Sequence, residues 1–158
     1  MLKCSFLDEK RAECYFGEMI SRLLMVGCAL IGGAISLYFA LVTSGKMPTE
    51  HWLVPRICRM NEETCGEVIR AREARIFGIP NAHLGLAMYG IVALCALMPE
   101  SVLRPYAYDA LLAVVVVAVL VGIYLTYVLL VRMHARCWLC IVCHSMNLVI
   151  LIVLLNLS

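Results

Sequence analysis

Charged residues are scarce in this chain of 158 residues: they make up 15%, where a soluble domain carries about a quarter. Apolar residues make up 63% and the mean hydropathy is +0.92, which indicates lipid as the surrounding medium. The net charge is only +2 and is dispersed, which excludes a nucleic-acid partner. The sequence also lacks internal repeats, low-complexity linkers and a convincing signal-peptide cleavage site. A single membrane domain over residues 1–158 is therefore expected.

Four apolar runs are long enough to cross the hydrocarbon core of a membrane, which takes roughly 20 residues of helix. They lie at about 21–43, 81–98, 107–131 and 137–157. Each is predicted to be helical, because lipid offers no partner to an unpaired backbone group. The sequence therefore predicts an all-α fold, a transmembrane four-helix bundle, preceded by a polar tail or interfacial turn over residues 1–18. Small residues in the first run predict close approach of another helix: Gly27, Gly32, Gly33, Ala34 and Ser36.

The connection between the first two runs, residues 44–80, is much longer than the other connections. Loops of this length in compact proteins are usually functional or disordered. This one contains Trp52 and the cysteines Cys58 and Cys65, so an ordered cap over the bundle is expected. Apolar and charged positions from Cys65 to Phe77 suit a short amphipathic helix at the membrane interface, with an ordinary solvated helix as the alternative.

Nine cysteines are many for this length. Cys28 and Cys95 lie inside apolar runs and are expected to be small buried hydrophobic residues. Cys4 and Cys14 lie in the polar first segment, where nothing local gives them a role. The others lie close to predicted membrane surfaces, where chemistry is expected: Cys58, Cys65, Cys137, Cys140 and Cys143.

The motif Cys137-Trp138-Leu139-Cys140 begins the fourth run. At a helix N-terminus the unpaired N–H groups and the helix dipole favour a thiolate, and the i, i+3 spacing brings both sulfurs to one face. In an up-down-up-down bundle, the 44–80 loop and the 132–136 turn emerge on the same side of the membrane. Two dithiols on one surface can exchange a disulfide. The residues therefore predict a membrane thiol–disulfide redox protein between a soluble thiol protein and a lipid-soluble acceptor.

A metal site is the alternative interpretation of these cysteines. Four thiolates in two pairs suit zinc, and Cys143 extends the motif to C-x2-C-x2-C, which is typical of iron–sulfur proteins. Cys143 lies nearly a full turn into an apolar helix, however, and six residues separate Cys58 from Cys65, more than structural zinc pairs favour. A non-catalytic zinc or iron–sulfur membrane protein stays the alternative from another class, and metal analysis of the purified chain distinguishes the two.

Three stretches together resemble the vitamin K epoxide reductase family, including its bacterial and archaeal homologues: CGEV at 65–68, FGIPNAHLG with the following Tyr89 at 77–89, and CWLC at 137–140. The likeness covers about residues 20–157. It implies a four-helix bundle around a quinone of the ubiquinone, menaquinone or vitamin K type. Prokaryotic members oxidise a thioredoxin-fold partner and pass the electrons to a membrane quinone. Animal members reduce vitamin K epoxide and the quinone, which is the alternative function for this chain.

The resemblance also implies a role for each of four cysteines. Cys140 resembles the cysteine that engages the quinone ring, and Cys137 resembles its exchanging neighbour. Cys65 resembles the loop cysteine that attacks Cys137, and Cys58 resembles the one that meets the external partner. No fused thioredoxin domain is expected, so a separate thioredoxin-fold redox protein is implied as the partner.

Two further residues match quinone-binding positions of the family. Asn81 matches the asparagine that hydrogen-bonds a quinone carbonyl, although asparagine is also favoured as a helix N-cap. His144 falls where vertebrate members carry a tyrosine near the other quinone oxygen, and its alternative role is a hydrogen bond to a neighbouring helix. The chain departs from the family at Arg70 and Ala71, where many members carry a pair of serines, so the role of those hydroxyls does not carry over.

Charge and resemblance disagree about orientation. The cysteine side carries eight Lys and Arg residues and the opposite side five, so the positive-inside rule places the cysteines in the cytoplasm. The resemblance implies the opposite, and several of the loop arginines belong to the expected cap, which weakens their contribution. The active site is therefore expected on the extracytoplasmic or lumenal side, with an inverted, cytoplasm-facing orientation as the alternative.

Overall fold

The computed structural model describes residues 8–47, 75–76, 78–99, 107–132, 134 and 137–157. Its helices are α1 (Asp8–Thr43), α2 (Asn81–Leu97), α3 (Tyr108–Tyr127) with a π-helical turn at Val128–Arg132, and α4 (Trp138–Leu157). Two short strands, β1 (Arg75–Ile76) and β2 (Ile79–Pro80), precede α2. The cysteines Cys4, Cys58 and Cys65 lie outside the described residues, as does the side chain of Cys14.

The predicted all-α transmembrane bundle is confirmed. Within the described residues, three segments are long and apolar enough to cross a membrane, namely Tyr15–Thr43, Tyr108–Arg132 and Trp138–Leu157. Helix α2, with 17 residues, is also apolar but shorter than these segments. The three long apolar segments make the chain an integral membrane protein. The β-branched run Val114 to Val117 would favour a strand in water. It is helical here because a helix satisfies every backbone group within its own segment.

Two local predictions are wrong. The polar residues up to Glu18 were expected to form a tail or turn, but α1 already begins at Asp8. Once a helix is nucleated, each added residue costs little and gains one backbone hydrogen bond, so the apolar helix extends into its polar flank. The predicted amphipathic helix does not run to Phe77, because Arg75 and Ile76 are extended and pair with Pro80 and Ile79. The rest of that predicted helix lies outside the described residues.

A glycine makes the turn of this short hairpin. Gly78 has a φ of +83°, a conformation that costs glycine nothing and other residues a steric penalty. The hairpin ends at Pro80, directly before the first residue of α2.

The four helices do not pack evenly. Helix α1 packs against α2 and α4, and α4 also packs against α3, whereas α2 and α3 make few contacts with each other. The core between them contains Cys28 and Cys95, both only 8% exposed, which confirms the prediction of buried cysteines. The bundle is thus closed on three sides and open between α2 and α3.

Helices α1 and α2 approach each other at a glycine. The ring of Tyr89 lies over Gly32, where an added Cβ would come 2.6 Å from the tyrosine Oη and closer still to two ring carbons. This confirms for Gly32 that the small residues of the first run admit a neighbouring helix. At the C-terminal end of α2, the Arg22 side chain of α1 donates a hydrogen bond to the Met98 carbonyl over 2.8 Å.

Candidate active site

A cavity of about 430 Å³ lies inside the bundle, and all four helices contribute to its wall. Most of the lining is aliphatic, which is typical of a site for an apolar ligand with a few orienting polar groups. The side chains in the wall that can form hydrogen bonds or react are Ser36, Thr43, Asn81, Tyr89, Cys140, Cys143, His144 and Asn147. The predicted residues Asn81, Cys140 and His144 are therefore brought to one cavity.

The sulfurs of Cys137 and Cys140 lie 2.7 Å apart. A disulfide bond is about 2.05 Å long, so the two sulfurs need only a small movement to bond. The i, i+3 spacing produces this proximity because Cys137 directly precedes α4 and Cys140 is its third residue. The pair is thus positioned to form and break a disulfide.

Cys137 also serves as the cap of α4. Its carbonyl accepts the Ile141 N–H over 3.2 Å, and its sulfur accepts the backbone N–H of Cys140 over 3.4 Å. A sulfur thus takes the position that a Ser or Asp oxygen usually holds at an N-cap. The sulfur thereby satisfies one of the backbone N–H groups that are left without a partner at the start of a helix.

The two cysteines differ in their surroundings. Cys137 is fully buried, in a cluster with Phe39 and Leu129, whereas Cys140 is partly exposed and lines the cavity. Leu129 comes from the π-helical turn that follows α3, and such turns are often found at functional sites. Cys140 is therefore the thiol that faces the cavity, and Cys137 lies behind it.

Asn81 is not a helix cap, so that alternative is wrong. Pro80 holds the N-cap position of α2, no side-chain capping bond forms, and Asn81 is the first helical residue. Its side chain belongs to the cavity wall. The amide is thus not engaged in capping.

His144 lies in the cavity wall, and one edge of its imidazole packs against α3. Its Nδ1 atom is buried and makes no hydrogen bond within the part of the chain that the structure describes. This nitrogen packs against Gly122 of α3, where an added Cβ would lie 2.8 Å from it. Nδ1 therefore does not make the hydrogen bond to a neighbouring helix that was the alternative role of His144.

A buried polar cluster next to the cavity was not predicted. The Tyr89 hydroxyl is placed to donate either to the Cys143 carbonyl, at 2.8 Å, or to Asn147 Oδ1, at 2.5 Å. The Cys143 sulfur lies 3.3 Å from that hydroxyl and 3.7 Å from Ser36 Oγ. Asn147 was the available signal, because a polar amide inside an apolar membrane helix is costly and usually has a purpose. The cluster links α1, α2 and α4 beside Cys140.

The metal alternative involves residues that lie partly outside the structure. Among the described residues, no group of three or more His, Cys, Asp or Glu side chains is arranged to hold a metal ion. Cys58 and Cys65, which a zinc site would need, are not in that part of the chain.

Comparison with known protein families agrees with the architecture. The family model described as "Vitamin K epoxide reductase family" matches residues 23–155, most of the chain. The chain belongs to this family. The resemblance carried by the cysteine pair and the FGIPNAHLG stretch is therefore confirmed. No curated protein matches the chain. As a member of the vitamin K epoxide reductase family, the protein combines a transmembrane bundle with the redox activity that the family implies.

Proposed function

We propose that this protein generates disulfides by passing electrons from a thioredoxin-fold partner, via Cys58/Cys65 and Cys137/Cys140, to a membrane quinone. One observation carries the proposal: Cys140 lines an apolar cavity in the membrane while its sulfur lies 2.7 Å from that of Cys137. A dithiol in that position can deliver two electrons to a lipid-soluble acceptor.

The cavity wall fits a quinone. The ring is apolar and carries two carbonyl oxygens that need hydrogen-bond donors, and the wall supplies Asn81 and His144 for this purpose. Leu84, Ile91 and Val117 line the cavity and are also 37%, 47% and 58% exposed, on the side where α2 and α3 leave the bundle open. A ligand with an isoprenoid tail can enter there from the lipid.

The burial of Cys137 supports an internal relay. A thiol of a soluble partner protein has no direct approach to a sulfur that is 0% exposed. The proposal assigns this step to a cysteine of the same chain, Cys65, carried on the 44–80 loop. Cys58 then receives the attack of the partner.

The electrons move in pairs at each proposed step. A partner dithiol attacks the Cys58–Cys65 disulfide at Cys58 and leaves as the oxidised disulfide. The freed Cys65 thiolate attacks Cys137 of the Cys137–Cys140 disulfide, and Cys140 leaves as a thiolate. Cys58 then attacks Cys65, which restores the loop disulfide and releases Cys137. Re-formation of the Cys137–Cys140 disulfide transfers two electrons to the quinone, and two protons complete the quinol.

The test is quinone-dependent oxidation of a reduced thioredoxin-fold protein by the purified chain. We expect one quinone to be reduced for each partner disulfide formed, followed by quinone absorbance and by thiol alkylation of the partner. Reduction of vitamin K epoxide at the expense of a dithiol, without quinone-dependent disulfide formation, would instead favour the alternative direction. One zinc or iron per purified chain would contradict the relay.

Removal of the Asn81 amide is expected to weaken quinone binding. Asn81→Ala should raise the KM for quinone about tenfold, the effect of losing one hydrogen bond. Because Asn81 is not the cap of α2, the unfolding midpoint should stay unchanged, whereas loss of a cap costs about 1 kcal/mol. His83→Ala is the matched control, since His83 lies two residues away, is exposed and is not in the cavity wall. A stability loss without a change in KM would restore the capping role.

We also propose that the active site faces the extracytoplasmic or lumenal side. We expect a membrane-impermeant thiol reagent to label Cys58 in sealed cells after mild reduction. Labelling only after the cells are opened would establish the inverted orientation that the eight basic residues on that side favour.

A further inference from the structure

Helix α3 contains one glycine in a stretch of bulky residues, VVVVAVLVGIYLTY at 114–127. This glycine, Gly122, is buried and faces the imidazole of His144 on α4. An added Cβ would lie 2.8 Å from Nδ1 and 3.1 Å from Cγ of the ring, closer than side chains tolerate without moving. Gly122 therefore leaves a slot in α3, and one edge of the His144 ring occupies it.

The atoms around this slot determine which ring nitrogen carries the proton. A neutral imidazole has one N–H donor and one bare nitrogen. The carbonyl of Gly122 already accepts the hydroxyl of Thr126 over 2.7 Å, and Nδ1 has no hydrogen-bond partner among the residues of the described ranges. An N–H at Nδ1 would be a buried donor without an acceptor, which is costly. The proton is therefore placed on Nε2, at the opposite edge of the ring.

We propose that Gly122 is a positioning residue: its slot seats the Nδ1 edge of His144 and so presents Nε2–H to a carbonyl oxygen of the ligand in the cavity. The identity of that ligand rests on the proposed quinone function, whereas the slot itself does not. Gly122 thus acts on the ligand only through His144.

The slot is tested on the full chain without any ligand, by a double-mutant cycle of unfolding in detergent. Gly122→Ala should lower the unfolding midpoint when His144 is present, and should not lower it in a His144→Ala background, where the ring is gone. Gly90→Ala is the control, because Gly90 is an exposed glycine within α2 with nothing within 4 Å and lies outside the cavity wall. Equal effects of Gly122→Ala in both backgrounds would overturn the slot.

The position of the imidazole proton is tested by replacing His144 with two amide side chains of different length. The side-chain nitrogen of glutamine can occupy the place of Nε2, and that of asparagine the place of Nδ1. His144→Gln should keep the quinone KM within about threefold, whereas His144→Asn and Gly122→Ala should each raise it about tenfold. A smaller effect of asparagine than of glutamine would overturn the assignment of the proton to Nε2.

The two tests separate failure of the slot from failure of the proposed function. An unmodified chain that turns over no quinone, but in which Gly122 and His144 are coupled in unfolding, would contradict the quinone and support the slot. Turnover of quinone without that coupling would contradict the slot alone.

Discussion

Replacement of Cys137 with alanine is expected to abolish quinone-linked oxidation of a protein dithiol. Cys140 would then lose the thiol that lies 2.7 Å from its own sulfur, and with it the disulfide whose formation delivers the electron pair in the proposed relay. Loss of a nucleophile from such a unit typically lowers turnover by roughly 10³-fold or more. The rate is measured as the loss of quinone absorbance with a reduced thioredoxin-fold protein in excess.

Two control variants distinguish loss of the Cys137 thiol from a general loss of folding. Cys95→Ala makes the same change at a buried cysteine of α2 that is outside the cavity wall, and it should retain activity. Cys137→Ser keeps a capping oxygen at the start of α4, so it should fold normally while still being inactive. A Cys137→Ala protein with full quinone reduction would refute the proposed order of thiol exchange.

Gly32→Ala is expected to destabilise the bundle by about 1–3 kcal/mol, the usual effect of overpacking. The new Cβ would overlap the ring of Tyr89. That ring cannot swing aside cheaply, because its hydroxyl is bonded to α4 at Cys143 or Asn147. The free energy of unfolding in detergent, followed by circular dichroism, measures the effect.

The same helix supplies the control for this substitution. Gly27 has nothing within 4 Å of where a Cβ would be, so Gly27→Ala removes a glycine without creating a clash. It should be neutral or slightly stabilising, because alanine is the better helix former by about 1 kcal/mol. Similar destabilisation by both variants would show that Tyr89 is free to move.

The bundle was predictable because lipid restricts what an apolar run can do. Length identified the helices to within a few residues at α2, α3 and α4, since an apolar run of about 20 residues satisfies its own backbone in a membrane only as a helix. The polar start of α1 was not predictable by this argument, because water permits a helix or a turn there. The strand at Arg75–Ile76 was missed because its pairing depends on the turn at Gly78.

The candidate site likewise has some features that the sequence predicts and others that it does not. The proximity of Cys137 and Cys140 follows from local spacing, which the sequence contains. The bond between Tyr89 and Asn147 joins α2 to α4, and it depends on how each helix is rotated about its axis. Hydropathy does not determine that rotation when most of a helix surface is apolar. For the same reason the slot at Gly122 appears only once α3 and α4 are packed together.

The sulfur that caps α4 connects the chemistry of the pair to the mechanics of the helix. A charged thiolate at Cys137 accepts the Cys140 N–H more strongly than a neutral disulfide sulfur does. In the proposed relay, each round of thiol exchange at Cys137 would therefore tighten and then loosen the first turn of α4. The wall residues Cys140, Cys143 and His144 lie on the first two turns of that helix. The relay would thus transmit the oxidation state of one atom, as a change in stiffness, to the wall of the cavity.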